Sequence, residues 1–494
     1  MGAQEIRQVT AEGTNAGGDE TRAAEANGSG ATGIVAGLVS RAQAAMDEVA
    51  GYDQNRVNEV VRAVAWAIIK QENAEELARL AVEDTGLGRF EDKVSKNKRK
   101  SLGTLRDLLD PGAGSVGVIN VDEAKGITEI AKPVGVVGAV TPSTNPAATP
   151  ANKTMMALKG RNAVVIAPSP KGASTCELLL QYIHDELDKI GAPRDLVQML
   201  PEVNKEMTHE LMRQVDFLTV TGSANNVRAG QTSGTPNACV SAGNVVSVVD
   251  ASADLEDAAR KIHRSKTFDY GTSCSNDNSV VIEDPVYDAM VEALKGEGGY
   301  FCNDEERELL KEAMWPGGGR RSQKTLCKAP SVIAEVAGLP AEAGEATFFM
   351  VEGKGVGDED PFSGEKLSVV LTVYRADDFD GALGLTKRIL DYAGRGHSCG
   401  LHTTDEANID KIGLEMDVCR LLINQVQVVG NGGSFDNGLN FTLSMGGGSW
   451  AGNNIGENLS YRHFINITKV SRPIPEEMPT HEDLLGSYWE KYGR

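Results

Sequence analysis

The sequence predicts an α/β chain built from two doubly wound α/β regions and a small β-arm. Three observations predict it. From residue 132 short apolar runs alternate with helix-length amphipathic stretches, the pattern of a parallel sheet wrapped by helices. A second region of the same kind runs from about 245 to 435. VGVINV at 116–121 and HFINITKV at 463–470 alternate like strands, and are expected to pair with each other as a projecting arm.

Residues 1 to about 30 are rich in Gly, Ala, Glu, Thr and Asn without an apolar period, and read as a disordered tail. Helices follow: Val57, Val60, Val61, Val64 and Ile68 fall on one face, a stripe that is core. The first α/β region has apolar runs at Val134–Val140, Ala163–Ala167 and Phe217–Val220. Between the second and third lies a helix with Leu179, Ile183, Leu187 and Ile190 on one face. Ser174 and Glu177 are expected to form its capping box, and Gly191 and Pro193 to stop it. The second region has strands at Val245–Val249, Val280–Ile282, Val369–Val373 and Leu421–Ile423. Gly-rich, loop-like sequence follows, and no internal repeat is visible.

The chain has 494 residues, 40% of them apolar, enough for two or three domains. Its net charge of −21 argues against nucleic acid or an acidic membrane surface as partner, because both would repel it. A local basic pocket remains compatible with that total. Seven scattered cysteines form no CxxC pair and no zinc-like cluster, so no metal is expected and the thiols read as reduced. No signal peptide or membrane-length apolar run is apparent, which makes a cytoplasmic protein the expectation.

GTSCSNDNS at 271–279 places Cys274 among small and polar residues just before an apolar strand. A nucleophilic thiol needs access and a favourable charge environment, and a loop at a sheet edge can supply both. TPSTNPAATPANK at 141–153 offers Asn145 in a Pro-flanked loop after a strong strand. VTGSANNVRAG at 220–230 sets Gly222 and Ser223 at a strand-to-helix turn, where backbone N–H groups can meet a phosphate. Taken singly, each also reads as ordinary loop chemistry.

In this order, together with ALKGRNAVVIAPSP, SKTFDYGTSC, GEKLSVVL (364–371), GGSFDNG (432–438) and TGLGRFEDKVSKNK (85–98), these motifs resemble the aldehyde dehydrogenase superfamily, and within it the CoA-acylating branch. The resemblance covers nearly everything after residue 33. It implies an aldehyde dehydrogenase-like fold. Residues 31–115 and 132–240 would be the NAD(P)-binding domain, 241–435 the catalytic domain, and 436–462 a return to the cofactor domain. Residues 116–131 and 463–494 would be an oligomerisation arm with the C-terminal segment, in a homodimer or homotetramer. It further implies Cys274 as nucleophile, with Asn145 and the Cys274 N–H stabilising the oxyanion. Glu365 would hold the nicotinamide ribose. Gly222 and Ser223 would lie over the diphosphate, Pro168 and Ser169 at the adenine ribose, and Thr141, Pro142 and Gly243 elsewhere along the cofactor.

Hydrolytic members carry a glutamate where this chain reads Val240-Ser241-Ala242-Gly243-Asn244, with no carboxylate. Water attack on the thioester is therefore expected to be slow, and CoA to take the acyl group. The acylating branch has a Gly-His segment, here Gly396-His397, which makes His397 the proposed base for the CoA thiol. Ala167 stands where many members have a lysine, no carboxylate is near, and Lys171 would attract a 2′-phosphate. NADP is therefore expected over NAD.

The C-terminal run from Phe435 resembles acylating sulfoacetaldehyde dehydrogenases, although Gly446-Gly447-Gly448 stands where these often read Gly-Cys-Gly. Acetaldehyde or another short aldehyde is the alternative substrate. An anionic substrate calls for a cation, with Arg420, Arg462 and His463 as candidates. A hydrolytic or phosphate-dependent semialdehyde dehydrogenase and a catalytically silent scaffold are the competing readings.

Overall fold

The computed structural model describes residues 30–240 and 242–494; the reading of residues 1–29 as a disordered tail lies outside the described residues. Four helices come first: α1 (Ala31–Glu48), α2 (Gln54–Ile69), α3 (Gln71–Thr85) and α4 (Phe90–Leu108). The α2 stripe is core: Val57, Val60, Val61, Val64 and Ile68 are all buried.

β1 (Gly117–Asp122) and β2 (Ile127–Pro133) leave this helical layer, and the chain then enters a parallel sheet. Its strands are β3 (Val136–Val140), β4 (Ala163–Ala167), β5 (Val197–Met199), β6 (Phe217–Thr221) and β7 (Asn237–Val240), in the spatial order β5-β4-β3-β6-β7. The apolar runs of β3, β4 and β6 are continuous because helices cover both faces. α5 (Ala148–Lys159), α6 (Ala173–Lys189), α7 (Lys205–Gln214) and α8 (Ala224–Gln231) are the connections. The order reverses between β3 and β6, so a crevice opens beyond their C-terminal ends.

The second sheet is also parallel and has seven strands. β8 (Val245–Val249) leads through α9 (Leu255–Thr267) to β9 (Asp277–Glu283). β10 (Gly299–Phe301), β11 (Phe348–Glu352), β12 (Val370–Ala376), β13 (Cys399–His402) and β14 (Leu421–Ile423) complete the order β10-β11-β12-β9-β8-β13-β14.

Two local expectations are corrected. The segments at 116–121 and 463–470 do not pair with each other. β15 (Ile465–Ser471) and β1 each pair antiparallel with β2, which lies between them. Ser174 and Glu177 form no capping box, since the residue before α6 is Gly172 and no side chain caps it. Asp84, at the end of α3, does that work from outside, accepting from the Thr175 N–H at 3.1 Å and from the Ser174 hydroxyl. A carboxylate there favours the positive end of the helix dipole. Among the described residues, no helix is long and apolar enough to cross a membrane.

Candidate active site

The strand ends of the first sheet build one wall of a cleft of about 740 Å³. Thr141 and Pro142 follow β3, Pro168 and Ser169 follow β4, and Gly222 and Ser223 follow β6; all six line it. Ser223 caps α8, accepting from the Asn226 N–H at 3.4 Å. The Thr141 hydroxyl is buried with no protein partner, leaving it free for a ligand. The other wall, from the second sheet, supplies Cys274, Glu365 and Arg321. Among the described residues lining the cleft, Glu365 is the sole carboxylate. The volume, the strand-end position and the orphaned hydroxyl fit a dinucleotide.

Two expected cofactor residues fall outside this wall. Lys171 does not line the cleft, which ends at Pro170; its ammonium lies 3.4 Å from Gln323 Oε1. Gly243 lies behind the wall, where a Cβ would collide with the Cys274 carbonyl oxygen and press on the His397 ring. Its backbone amide favours the charged form of Glu365. Lys205 and His209, which the sequence did not flag, line the cleft on the side of β4 and α7.

Cys274 is half-buried on the loop before β9. Burial and then the Glu365 carboxylate push its thiol up to about 11, while the Ser275 hydroxyl and Arg420 pull the other way. Glu365 is itself raised to about 7 by burial, against the opposing influence of Arg321 at 3.6 Å and the Gly243 amide.

Asn145 lines the cleft beside Cys274. Its Oδ1 accepts from Lys96 Nζ at 2.7 Å. With the carbonyl oxygen so occupied, the amide NH₂ is the donating end; one N–H reaches Thr144 Oγ1 at 3.4 Å and the other is left to donate. Lys96 also donates to Asp269 Oδ2 at 2.6 Å and to Thr272 Oγ1 at 3.1 Å, and Lys93 reaches Asp269 at 3.2 Å. Asp269 and Tyr270 sit in the left-handed region, with φ 51° and 49°. That backbone is costly for residues with a side chain, and the buried ion cluster fixes it. Burial would raise the Asp269 carboxyl, but Lys96 and Lys93 outweigh it and hold it below the usual carboxylate range. One cluster therefore sets both the Asn145 amide and the turn carrying Cys274. The sequence concealed it: α4 reads as a solvated charged helix, yet Asp92, Lys93 and Lys96 are buried.

His397 is 2% exposed and does not line the cleft. Nδ1 lies 2.7 Å from Ser398 Oγ, and Nε2 has no partner. Burial, with Arg420 adding, lowers it to about 3, so the imidazole is neutral. Arg420 is buried and donates to the carbonyl oxygens of His397 and Gly446, both at 2.6 Å, which makes it a backbone clamp rather than a substrate cation. Arg462 lines a separate surface cavity, and His463 lies 3.1 Å from Glu457. His402 is buried beside neither cavity that touches Cys274 or its loop.

Residues 18–297 match the Aldehyde dehydrogenase family. The chain is 50% identical over 462 residues to the acylating sulfoacetaldehyde dehydrogenase of Cupriavidus necator, covering 93% of each. An acetylating aldehyde dehydrogenase structure from Geobacillus thermoglucosidasius superposes with a TM-score of 0.86 at 32% identity, over 91% of this chain and 98% of that one. The Rhodopseudomonas palustris propionaldehyde dehydrogenase with bound propionyl-CoA gives 0.79 at 25% identity, over 89% and 94%. Strand-end cleft, half-buried thiol and oriented amide thus occur in a chain that belongs to the aldehyde dehydrogenase family.

Proposed function

We propose that this protein is a CoA-acylating aldehyde dehydrogenase whose substrate is sulfoacetaldehyde, with a short uncharged aldehyde such as acetaldehyde as the alternative. The observation that carries the chemistry is a cleft lined by both Cys274 and an Asn145 amide whose oxygen is already taken by Lys96. The acylating step is supported by the stretch 240–244, which has no carboxylate, and by the name of the 50%-identical relative.

Cys274 loses its proton to solvent through the cleft and adds to the aldehyde carbonyl as the thiolate, a form that the positive charge of bound NAD(P)⁺ would favour over the thiol that prevails in the empty cleft. Asn145 Nδ2 and the Cys274 N–H receive the oxyanion. Bound NAD(P)⁺ supplies the hydride acceptor, and loss of hydride leaves an acyl thioester on Cys274. The CoA thiol then displaces Cys274, and its proton passes to the departing Cys274 sulfur by way of His397, whose neutral ring with Nε2 free would act as a relay that keeps no additional proton. Thr141, Pro142, Pro168, Ser169, Gly222, Ser223 and Glu365 would hold the dinucleotide. Lys205 and His209, with no carboxylate beside them in the cleft lining, favour NADP over NAD. Seven unpaired cysteines are compatible with a cytoplasmic site of action.

Glu365 is the one observation that favours hydrolysis, since a carboxylate near 7 beside Cys274 has the strength of a general base. Rapid mixing of enzyme, aldehyde and NADP⁺ without CoA separates the readings. One NADPH per active site followed by arrest, with CoA restoring turnover, is expected. Undiminished turnover without CoA would replace acylation by hydrolysis. His397→Gln is expected to keep the burst and slow steady turnover about 100-fold or more. Cys274→Ala should abolish both phases, and activity surviving it would make the chain a silent relative.

A further inference from the structure

A second, smaller cavity of about 60 Å³ adjoins the cleft. The two share Asn145, Ser273, Leu443 and Met445, so the thiol loop stands between them. Four basic side chains line the smaller one, Lys96, Arg99 and Lys100 from α4 and Arg264 from α9, and no carboxylate does; burial, with Arg99 and Lys96 adding, pushes Lys100 down to about 7, so the lasting charge is that of the other three. In a chain of net charge −21 this is a local inversion of sign.

The four are not equivalent. Lys96 spends its three N–H groups on Asn145, Asp269 and Thr272. Lys100 spends its three on the carbonyl oxygens of Val429, Gly432 and Gly433, at 3.1, 2.9 and 2.9 Å. Among the described residues Arg99 and Arg264 make no hydrogen bond or ion pair; Arg99 lies 5.0 Å over the Phe435 ring. One carboxylate is close. Asp436 is held below the usual carboxylate range by the Ser434 hydroxyl, with Arg99 and Arg264 adding to the effect. It offsets one of the two guanidinium charges and leaves a net positive rim. Phe268, Val428 and Leu443 give the cavity an apolar wall.

We propose that this cavity is an anion subsite of the substrate. Arg99 and Arg264 bind the charged tail of a short aldehyde whose carbonyl lies against Cys274. The inference rests on the reading of an anionic substrate and deepens it. A sulfonate is ionised at every pH the enzyme meets, and its three oxygens suit two planar guanidinium forks. Lys96 adds long-range attraction while remaining committed to Asn145. The small volume admits a short chain and works against longer ones.

The test measures kcat/KM of the full-length enzyme with saturating NADP⁺ and CoA, for sulfoacetaldehyde, a carboxylate-ended aldehyde (succinic semialdehyde) and acetaldehyde. The wild type is expected to favour an anionic aldehyde over acetaldehyde. Arg99→Ala and Arg264→Ala should each lower that ratio about 10- to 100-fold, the scale of a lost charge-assisted hydrogen bond. Arg264→Lys should recover part of it, and Arg462→Ala should leave it unchanged. Because the readout is a ratio, a partly unfolded variant does not mimic the effect. A preference for the carboxylate that collapses in the same variants supports the subsite and replaces the sulfonate as its occupant. A wild-type preference that both alanine variants retain overturns the subsite and leaves the substrate reading standing. A wild type without preference for either anion overturns both.

Discussion

At Cys274 two charges of opposite sign compete. The Glu365 carboxylate raises the thiol and Arg420 lowers it, with burial on the side of the carboxylate. Removing Glu365 should therefore lower the thiol pKa. Glu365→Gln is expected to move the pH midpoint of Cys274 alkylation by iodoacetamide downward by about 1 unit in cofactor-free enzyme. An upward move or none would show that the two groups are not coupled. The same substitution changes stability. Between the ordinary carboxyl value of 4.5 and about 7 the native state binds more protons at Glu365 than the unfolded chain does, so stability falls as pH rises through that window. Glu365→Gln should flatten that slope, as read by thermal melts from pH 5 to 8. Asn145 depends on Lys96 in a different way: without the ammonium at 2.7 Å the amide is free to turn its oxygen toward the oxyanion. Lys96→Met is expected to lower kcat about 10- to 100-fold, with the NADP⁺ dissociation constant unchanged by fluorescence titration. An unaltered kcat would mean that the amide is held by other contacts.

At the scale of elements, α4 and the 268–274 loop are one unit held by buried charge. Asp269 pairs with Lys93 and Lys96, while its backbone N–H donates to Asp92 Oδ2 at 2.8 Å. Asp269→Ala leaves two buried ammonium ions without their carboxylate, and should cost about 3–5 kcal/mol in urea unfolding. A cost below about 1 kcal/mol would show that the cluster is not structural. This unit also marks the limit of what the sequence reveals. Strands β3, β4 and β8 were legible because unbroken apolar runs bounded by turns have few other readings. Cys274, Asn145 and Glu365 were legible because ordered motifs carry them. Lys93, Lys96 and Asp269 were not, since a lysine that forms a buried pair has the same letter and spacing as one in solvent. The pairing partner is more than 170 positions away in the chain. Ser174 misled for a related reason: the carboxylate that serves its helix comes from α3, and local spacing cannot reveal it. Arg99 and Arg264 were missed likewise, because they converge on one cavity from helices far apart in sequence.

At the scale of the molecule, the site lies where two sheets meet, with the cofactor cleft on one side of the thiol loop and the cationic cavity on the other. Such a site needs the two sheets held in fixed register, and the arm is the element without an obvious role inside one chain. Its three strands leave β1 and β15 as open edges. Val118, Val121, Ile467 and Val470 on those two strands are 59%, 57%, 47% and 37% exposed. Open edges carrying exposed β-branched residues invite pairing with another chain and are rarely left uncovered. We propose that a second copy of this chain covers them, in a homodimer or homotetramer. Charges placed on the arm would then be buried without partners. Val118→Asp with Ile467→Asp is expected to shift the sedimentation coefficient to a smaller species at micromolar protein while leaving far-UV circular dichroism unchanged. A wild type that sediments as a monomer, or a double variant that sediments like the wild type, would remove the arm as the interface.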